Sequence, residues 1–209
     1  MTNLVRGVPR FSLTGFVSLE AHVRRLWRPS VWLLAMLSAS VPTVTPQGVA
    51  SEFEATAKFL AITPGFVEWP PETFHSASEP LQICVHGDFS FGTLLAEQTR
   101  SASLNGHRVE VKWARKEQDV SGCKLLFVSR SAAKRYDKVL DAVKNSITLT
   151  IGEDSEFLKA GGMLSIQVMP SGVQFDVNLD AVKDGHLKLS SQLLSLARHI
   201  VRRPEGTKS

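Results

Sequence analysis

Between residues 52 and 201 the spacing of apolar positions changes several times, and each change marks a different element. Phe53, Ala57, Leu60 and Ala61 share one face of a helix over 52–62. Pro64-Gly65 ends that helix before Phe66-Val67-Glu68-Trp69-Pro70. Leu81-Gln82-Ile83-Cys84-Val85-His86 has the near-continuous apolar character of a buried strand and stops at Gly87-Asp88. A helix over 90–99 and a turn at Asn105-Gly106 lead to Arg108–Trp113, which alternates as a half-buried strand does. Leu125-Leu126-Phe127-Val128 is a further strand. Ser131 to Val143 follows as a helix with Ala132, Tyr136, Val139 and Val143 as its apolar stripe. Ile147–Ile151 is the next strand and ends at Gly152.

The remaining pattern is of another kind. Met163–Val168 and Val173–Val177 alternate cleanly around Pro170-Ser171-Gly172, which predicts an antiparallel β-hairpin. Asn178 caps a short helix that Gly185 stops. Leu187 and Leu189 lead into Ser190-Ser191. Leu193, Leu194, Ala197, Ile200 and Val201 then recur at helical spacing, with Arg202-Arg203 suited to that helix's C-terminal dipole and a frayed tail from Pro204. Strands alternating with helices predict an α/β fold: a single compact domain, its sheet mostly parallel, with flanking helices and an added antiparallel β-hairpin.

Residues 1–50 read differently. Arg24, Arg25 and Arg28 precede an apolar run from Val31 to Val41, followed by small residues at Gly48-Val49-Ala50. Eleven helical residues rise about 16 Å, roughly half a bilayer core, so the run is too short to span a membrane. The pattern is that of a secretory signal peptide, with cleavage near Ala50 and export to the periplasm expected. The expected division is a signal peptide over 1–50 and a domain over 51–209.

The formal charge of +4 belongs to this leader, which holds five Arg against Glu20, while residues 51–209 hold 19 basic and 19 acidic residues. A polycationic body is therefore excluded, and no nucleic-acid partner is expected. Export also bears on the two cysteines, Cys84 and Cys123. In an oxidising compartment a disulfide suits them better than a metal pair or a redox dithiol, with two buried thiols as the alternative.

Motifs for chemistry are scarce. Phosphate-loop, dinucleotide, nucleophile-elbow and zinc-protease patterns do not occur in 51–209. Two S-x-x-K matches, Ser121–Lys124 and Ser131–Lys134, have no companion motif and are expected by chance. His75, His86, His107, His186 and His199 show no metal-ligand spacing and read as solvated or capping residues. Glu153-Asp154 read as a solvated loop. No catalytic residue, metal or cofactor is expected, and the chain does not read as an enzyme. One feature points to binding, because ligands of open parallel sheets sit outside the carboxyl ends of the strands. Those ends are Gly87-Asp88, Ser129-Arg130-Ser131 and Gly152-Glu153, where glycines allow close backbone approach, Ser131 N-caps its helix and Arg130 adds charge. The bland reading is that these residues terminate strands and cap a helix. Trp69 and Phe66 are candidate interaction residues, with packing as the bland alternative for the tryptophan.

Several segments together resemble the YfiR family of exported bacterial proteins: Phe66-Val67-Glu68-Trp69-Pro70, Cys84-Val85-His86-Gly87-Asp88 with Phe91-Gly92, and Gly122-Cys123-Lys124-Leu125-Leu126-Phe127. Thr150-Ile151-Gly152 with Phe157, Gly161-Gly162-Met163, Phe175-Asp176-Val177-Asn178 and Leu189–Leu194 continue the series in order. The resemblance implies a compact α/β regulator without a catalytic site, a Cys84–Cys123 disulfide, and frequent homodimers. It implies a partner in an inner-membrane diguanylate cyclase of YfiN type, restrained through its periplasmic sensor domain, with a YfiB-like lipoprotein relieving the restraint. The output would be lower cyclic-di-GMP and less biofilm. A second reading is a small-molecule or anion sensor serving a membrane histidine kinase or transporter. The chain departs from relatives that carry a second cysteine pair near Gly161-Gly162-Met163, so redox switching by such a pair does not carry over. Ile62-Thr63-Pro64-Gly65 also stands where relatives are more helical.

Overall fold

Runs that are apolar on both faces need cover on both faces, and the two such runs here, 81–86 and 125–128, lie side by side in the middle of a sheet. The computed structural model describes residues 47–88 and 90–202. In chain order the elements are α1 (Gln47–Ile62), β1 (Val67–Glu68), β2 (Leu81–His86), α2 (Ser90–Thr99), β3 (Ser103–Leu104), β4 (His107–Ala114), β5 (Leu125–Val128) and α3 (Tyr136–Val143). They continue with β6 (Leu149–Gly152), α4 (Ser155–Lys159), β7 (Leu164–Met169), β8 (Gly172–Asn178), α5 (Leu179–Asp184), β9 (Lys188–Leu189), α6 (Ser191–Leu196) and β10 (His199–Val201). The expected leader lies outside the described residues as far as residue 46, as does the expected tail from Pro204.

Eight strands form one mixed sheet in the order β10-β8-β7-β6-β5-β2-β4-β3, and β1 pairs antiparallel with β9 as a separate ladder. β4, β2, β5, β6 and β7 are mutually parallel, as the alternation of strands and helices predicts. The β7–β8 hairpin is antiparallel, with Met169 opposite Gly172 across the Pro170-Ser171 turn. Asn105-Gly106 closes the β3–β4 hairpin with both residues at positive φ (51° and 89°), the conformation that this pair of residue types accommodates.

Alternation along β2 sends Leu81, Ile83 and Val85 into one core and Cys84 to the other face. The first core is covered by α1, α2 and α6, whose Leu60, Leu95 and Leu193 join Phe127, Ile151 and Val177 from the sheet. The second lies under α3 and α4, with Val139, Val143 and Phe157 packed around Leu126 and Val128. There Cys84 and Cys123 form the expected disulfide, their Cα atoms 5.8 Å apart.

The C-terminal helix is shorter than its spacing predicts. α6 ends at Leu196, and residues 199–201 form a strand parallel to β8 instead. The Arg198 N–H donates to the Phe175 carbonyl at 2.8 Å, and its guanidinium donates to both oxygens of Asp176, at 2.9 and 2.6 Å. Satisfying the β8 edge and the buried Asp176 overrides the local period, so Arg202 follows a strand and does not end a helix.

Candidate functional site

The chain leaves β2 through α2 on one face of the sheet to reach β4, and leaves β5 through α3 on the other face to reach β6. The carboxyl ends of β2 and β5 therefore diverge, which makes the Gly87–Ser129 junction a topological switch point, the place where doubly wound sheets open a ligand crevice.

Here the junction is bonded to itself. The Asp88 N–H donates to Ser129 Oγ at 2.9 Å, and the Ser129 and Ser131 hydroxyls share a hydrogen bond of 2.6 Å. Gly87 has a φ of 112°, and a Cβ there would overlap the Ser129 hydroxyl and lie 2.8 Å from that of Ser131. The close approach that glycine permits is thus used by two serines of the chain. The structure corrects the capping role given to Ser131. Residues 130–135 form a 3₁₀ turn before α3 starts at Tyr136, Ser129 occupies the cap position, and Ser131 lies inside the turn.

Gly152, at the end of β6, serves a second internal contact. Built Cβ atoms at Gly152 and Gly162 would both overlap the ring of Phe157, which is fully buried in the slot between them. Glu153-Asp154, read from the sequence as a solvated loop, are half-buried and bonded within the chain. Glu153 Oε2 accepts from the Arg130 N–H at 2.6 Å, and the Arg130 guanidinium donates to the Glu153 carbonyl at 3.1 Å. Burial pushes the Glu153 carboxyl above the ordinary carboxylate range, against the pull of the Arg130 N–H and charge. Asp154 caps α4 by accepting from the Phe157 N–H at 3.0 Å and also accepts from the Tyr136 hydroxyl at 3.1 Å. Burial, then the charge of Asp154, raise the Tyr136 phenol above its usual value.

The strand ends thus bring Gly87, Asp88, Ser129 and Ser131 together, with Arg130, Gly152 and Glu153 as a neighbouring set. Beside that set opens a cleft of about 360 Å³ between the start of α1 and the hairpin, with Glu52, Phe53, Arg130, Glu153 and Gln167 among its walls. Phe66 and Trp69 are placed elsewhere, flanking β1, half-buried against the larger core, with Trp69 Nε1 donating to the Pro64 carbonyl at 3.1 Å.

Two histidines depart from the solvated or capping role. His107 stacks on Phe74 with ring centres 3.8 Å apart and donates from Nδ1 to the Glu79 carbonyl at 2.6 Å. His86 is fully buried, donates from Nδ1 to the Ala114 carbonyl at 2.8 Å, and has no hydrogen-bond partner for Nε2 among the described residues. A second arrangement has no sequence signal: Asp176, bonded by Arg198 and, at 3.0 Å, by Nδ1 of His199. The Arg198 guanidinium first, and His199 after it, hold the Asp176 carboxyl below its usual range despite burial. The 22-residue separation of Asp176 and Arg198 follows no helix or strand period, so only the folded sheet reveals the pair.

Residues 53–198 match the model of the YfiR/HmsC-like family. Among solved structures, the fold is similar to that of a conserved domain protein from Vibrio cholerae O1 biovar El Tor strain N16961. The TM-score is 0.52 at 11% identity, covering 71% of this chain and 60% of that one. An ABC domain in complex with L-Trp from Streptococcus pneumoniae gives a TM-score of 0.48 at 11% identity over the same shares, 71% and 60%. A ligand-free, open substrate-binding protein with adhesive properties from Clostridium difficile gives 0.41 at 14%, over 58% of this chain and 55% of that one. The chain therefore spans 60% of the length of the first two of these proteins.

Proposed function

This chain belongs to the YfiR/HmsC-like family, and on that premise we propose that it is a periplasmic regulator that binds and restrains the sensor domain of an inner-membrane diguanylate cyclase of YfiN type. Cyclic-di-GMP and biofilm formation fall as a result, and a YfiB-like lipoprotein competes for the regulator to release the cyclase. The observation that carries this reading is the extent of the family match, which takes in nearly all of the described body. Two structural features support it. No helix among the described residues is long and apolar enough to cross a membrane. The polar groups at the strand ends are engaged with one another, as in a stable binding module. Export rests on the leader sequence.

The test is direct binding. Purified protein lacking the leader is titrated with the periplasmic domain of each membrane cyclase encoded in the source genome. Saturable binding to one of them is expected; binding to none rejects the reading.

The cleft beside Arg130 favours a second reading, a sensor for a small anion or amino acid that acts through a membrane kinase or transporter. It predicts a rise in melting temperature with a ligand from those classes, lost in Arg130→Ala. Gly152→Val cannot serve as the control, because its side chain would displace Phe157.

A further inference from the structure

Among the described residues His86 is the one histidine that is fully buried. Its backbone is fixed at the carboxyl end of β2, between Ala114 of β4 and Val128 of β5, and its carbonyl accepts from the Ser129 N–H at 2.9 Å. Alternation along β2 turns the ring to the face of Cys84, towards the smaller core. The Ala114 carbonyl can only accept, so Nδ1 carries the hydrogen and Nε2 is the basic nitrogen of the neutral ring. Nε2 is sealed from solvent and has no partner among the described residues. A proton arriving there creates a buried cation and an N–H without an acceptor, and both are costly.

An acceptor stands close by, held elsewhere. Three residues after Ala114 the chain enters a 3₁₀ turn over Glu117–Val120, which is pinned to the smaller core by Val120 and opens with the half-buried Glu117. The Glu117 carboxylate pairs with the exposed Arg135, just before α3, at a loose 3.7 Å. Its own backbone N–H, against the effect of burial, holds this carboxyl below the usual range, and charge on Arg135, His86 and Lys138 acts in the same sense. Glu117 is therefore ionised in the range where a histidine takes up a proton.

The other charges at this corner do not compete for Nε2. Asp119, on the same turn, accepts from the backbone N–H groups of Arg115 and Lys116. Asp88, two residues past His86, acts on Glu153. The Tyr136 hydroxyl is tied to Asp154. Lys112 and Arg115 on the β4 side and Lys138 on α3 carry the same sign as a protonated ring. Glu117 is the carboxylate left to meet it.

We propose that His86 is a proton-operated catch: charged at Nε2, with Nδ1 still on the Ala114 carbonyl, it draws the Glu117 carboxylate away from Arg135 and moves the 117–120 turn. The proton comes from solvent, and no covalent bond changes. In the neutral state Glu117 holds Arg135; in the acid state Glu117 holds His86 and Arg135 is released to solvent. Acid thus reshapes one corner of the surface, one residue from the strand-end set that begins at Gly87. The catch does not rest on the regulator reading, and its readout needs no partner.

The test follows the arginine side-chain Nε signals of the purified protein by NMR from about pH 7.5 to about pH 5, above the carboxylate range. The Arg135 signal, assigned by its loss in Arg135→Gln, is expected to shift within that interval together with the backbone amides of 117–120. His86→Gln keeps a donor for the Ala114 carbonyl but takes up no proton, and should hold the Arg135 signal still. Glu117→Gln should place that signal at its acid position throughout. An Arg135 signal that stays fixed in the native chain, or that shifts equally in His86→Gln, would overturn the proposal. If His86→Gln does not fold, Glu117→Gln decides, because an Arg135 signal that still shifts with pH in that variant contradicts the catch.

Discussion

The two faces of the sheet are built to different plans. Among the described residues, a cluster of 22 buried side chains beneath α1, α2 and α6 fills the space with aliphatic and aromatic bulk. Beneath α3 and α4 the cluster has 11, and the specific fastenings collect on that side. The disulfide lies there, the Thr148 hydroxyl donates to the Cys123 carbonyl, Phe157 is wedged between two glycines, and Tyr136 is tied to Asp154. Hydrophobic stabilisation scales with the area buried, so a thin layer gains less from it. Covalent and shape-specific contacts make up the difference, and of these the Phe157 wedge and the Tyr136–Asp154 bond lie at the end of the sheet that carries Ser129–Ser131 and Glu153.

The sharpest way to break this comparison is to empty the wedge. Phe157→Ala should cost about 3–5 kcal/mol, a full aromatic cavity. Gly152→Ala, which intrudes on the same ring, should cost less than additively when combined with it. Urea unfolding of the two single variants and the double variant checks this. Strict additivity would mean that the ring and the glycine do not share a slot.

The staple comes next. Replacing both cysteines, Cys84→Ser with Cys123→Ser, should lose up to about 4 kcal/mol, the chain-entropy value for a closed loop of about 40 residues. Unchanged denaturation midpoints would show that the thinner face holds without it.

Smaller effects should appear with pH, and the two perturbed carboxylates should act with opposite sign. Asp176 has a folded pKa below its unfolded value, so its contribution is full above the unfolded carboxylate range and is lost as pH falls through the folded pKa. Glu153 has a folded pKa above its unfolded value. Its contribution is full below the unfolded pKa and is lost as pH rises through the folded one. Unfolding midpoints measured across the acid range should therefore fall less steeply on acidification in Asp176→Asn. In Glu153→Gln they should lose the decline seen as pH rises through the carboxylate range. The same slope change in both variants would contradict the assignment.

How much of this was legible in the chain follows from the range of the interactions. The hairpin around Pro170-Ser171-Gly172, the Asn105-Gly106 turn and the cap at Asn178 rest on neighbouring residues, and local pattern revealed them. Ile200 and Val201 fitted a helical period, yet they form a strand because Asp176 and the Phe175 carbonyl, more than twenty residues earlier, hold Arg198. The strand ends were located correctly from Gly87, Ser129 and Gly152. What fills the space beside each glycine was not legible, since the Phe157 ring and the serine hydroxyls reach those positions only when the sheet is assembled. Glu153 looked solvated for the same reason: its partner, Arg130, is 23 residues away on a neighbouring loop.

The central claim, restraint of a membrane cyclase from the periplasm, is tested most directly by intracellular cyclic-di-GMP in the source organism with and without this gene. A rise on deletion is predicted, reversed by the full chain and not by a copy lacking residues 1–50. An unchanged level on deletion, or rescue by the copy without its leader, would contradict it.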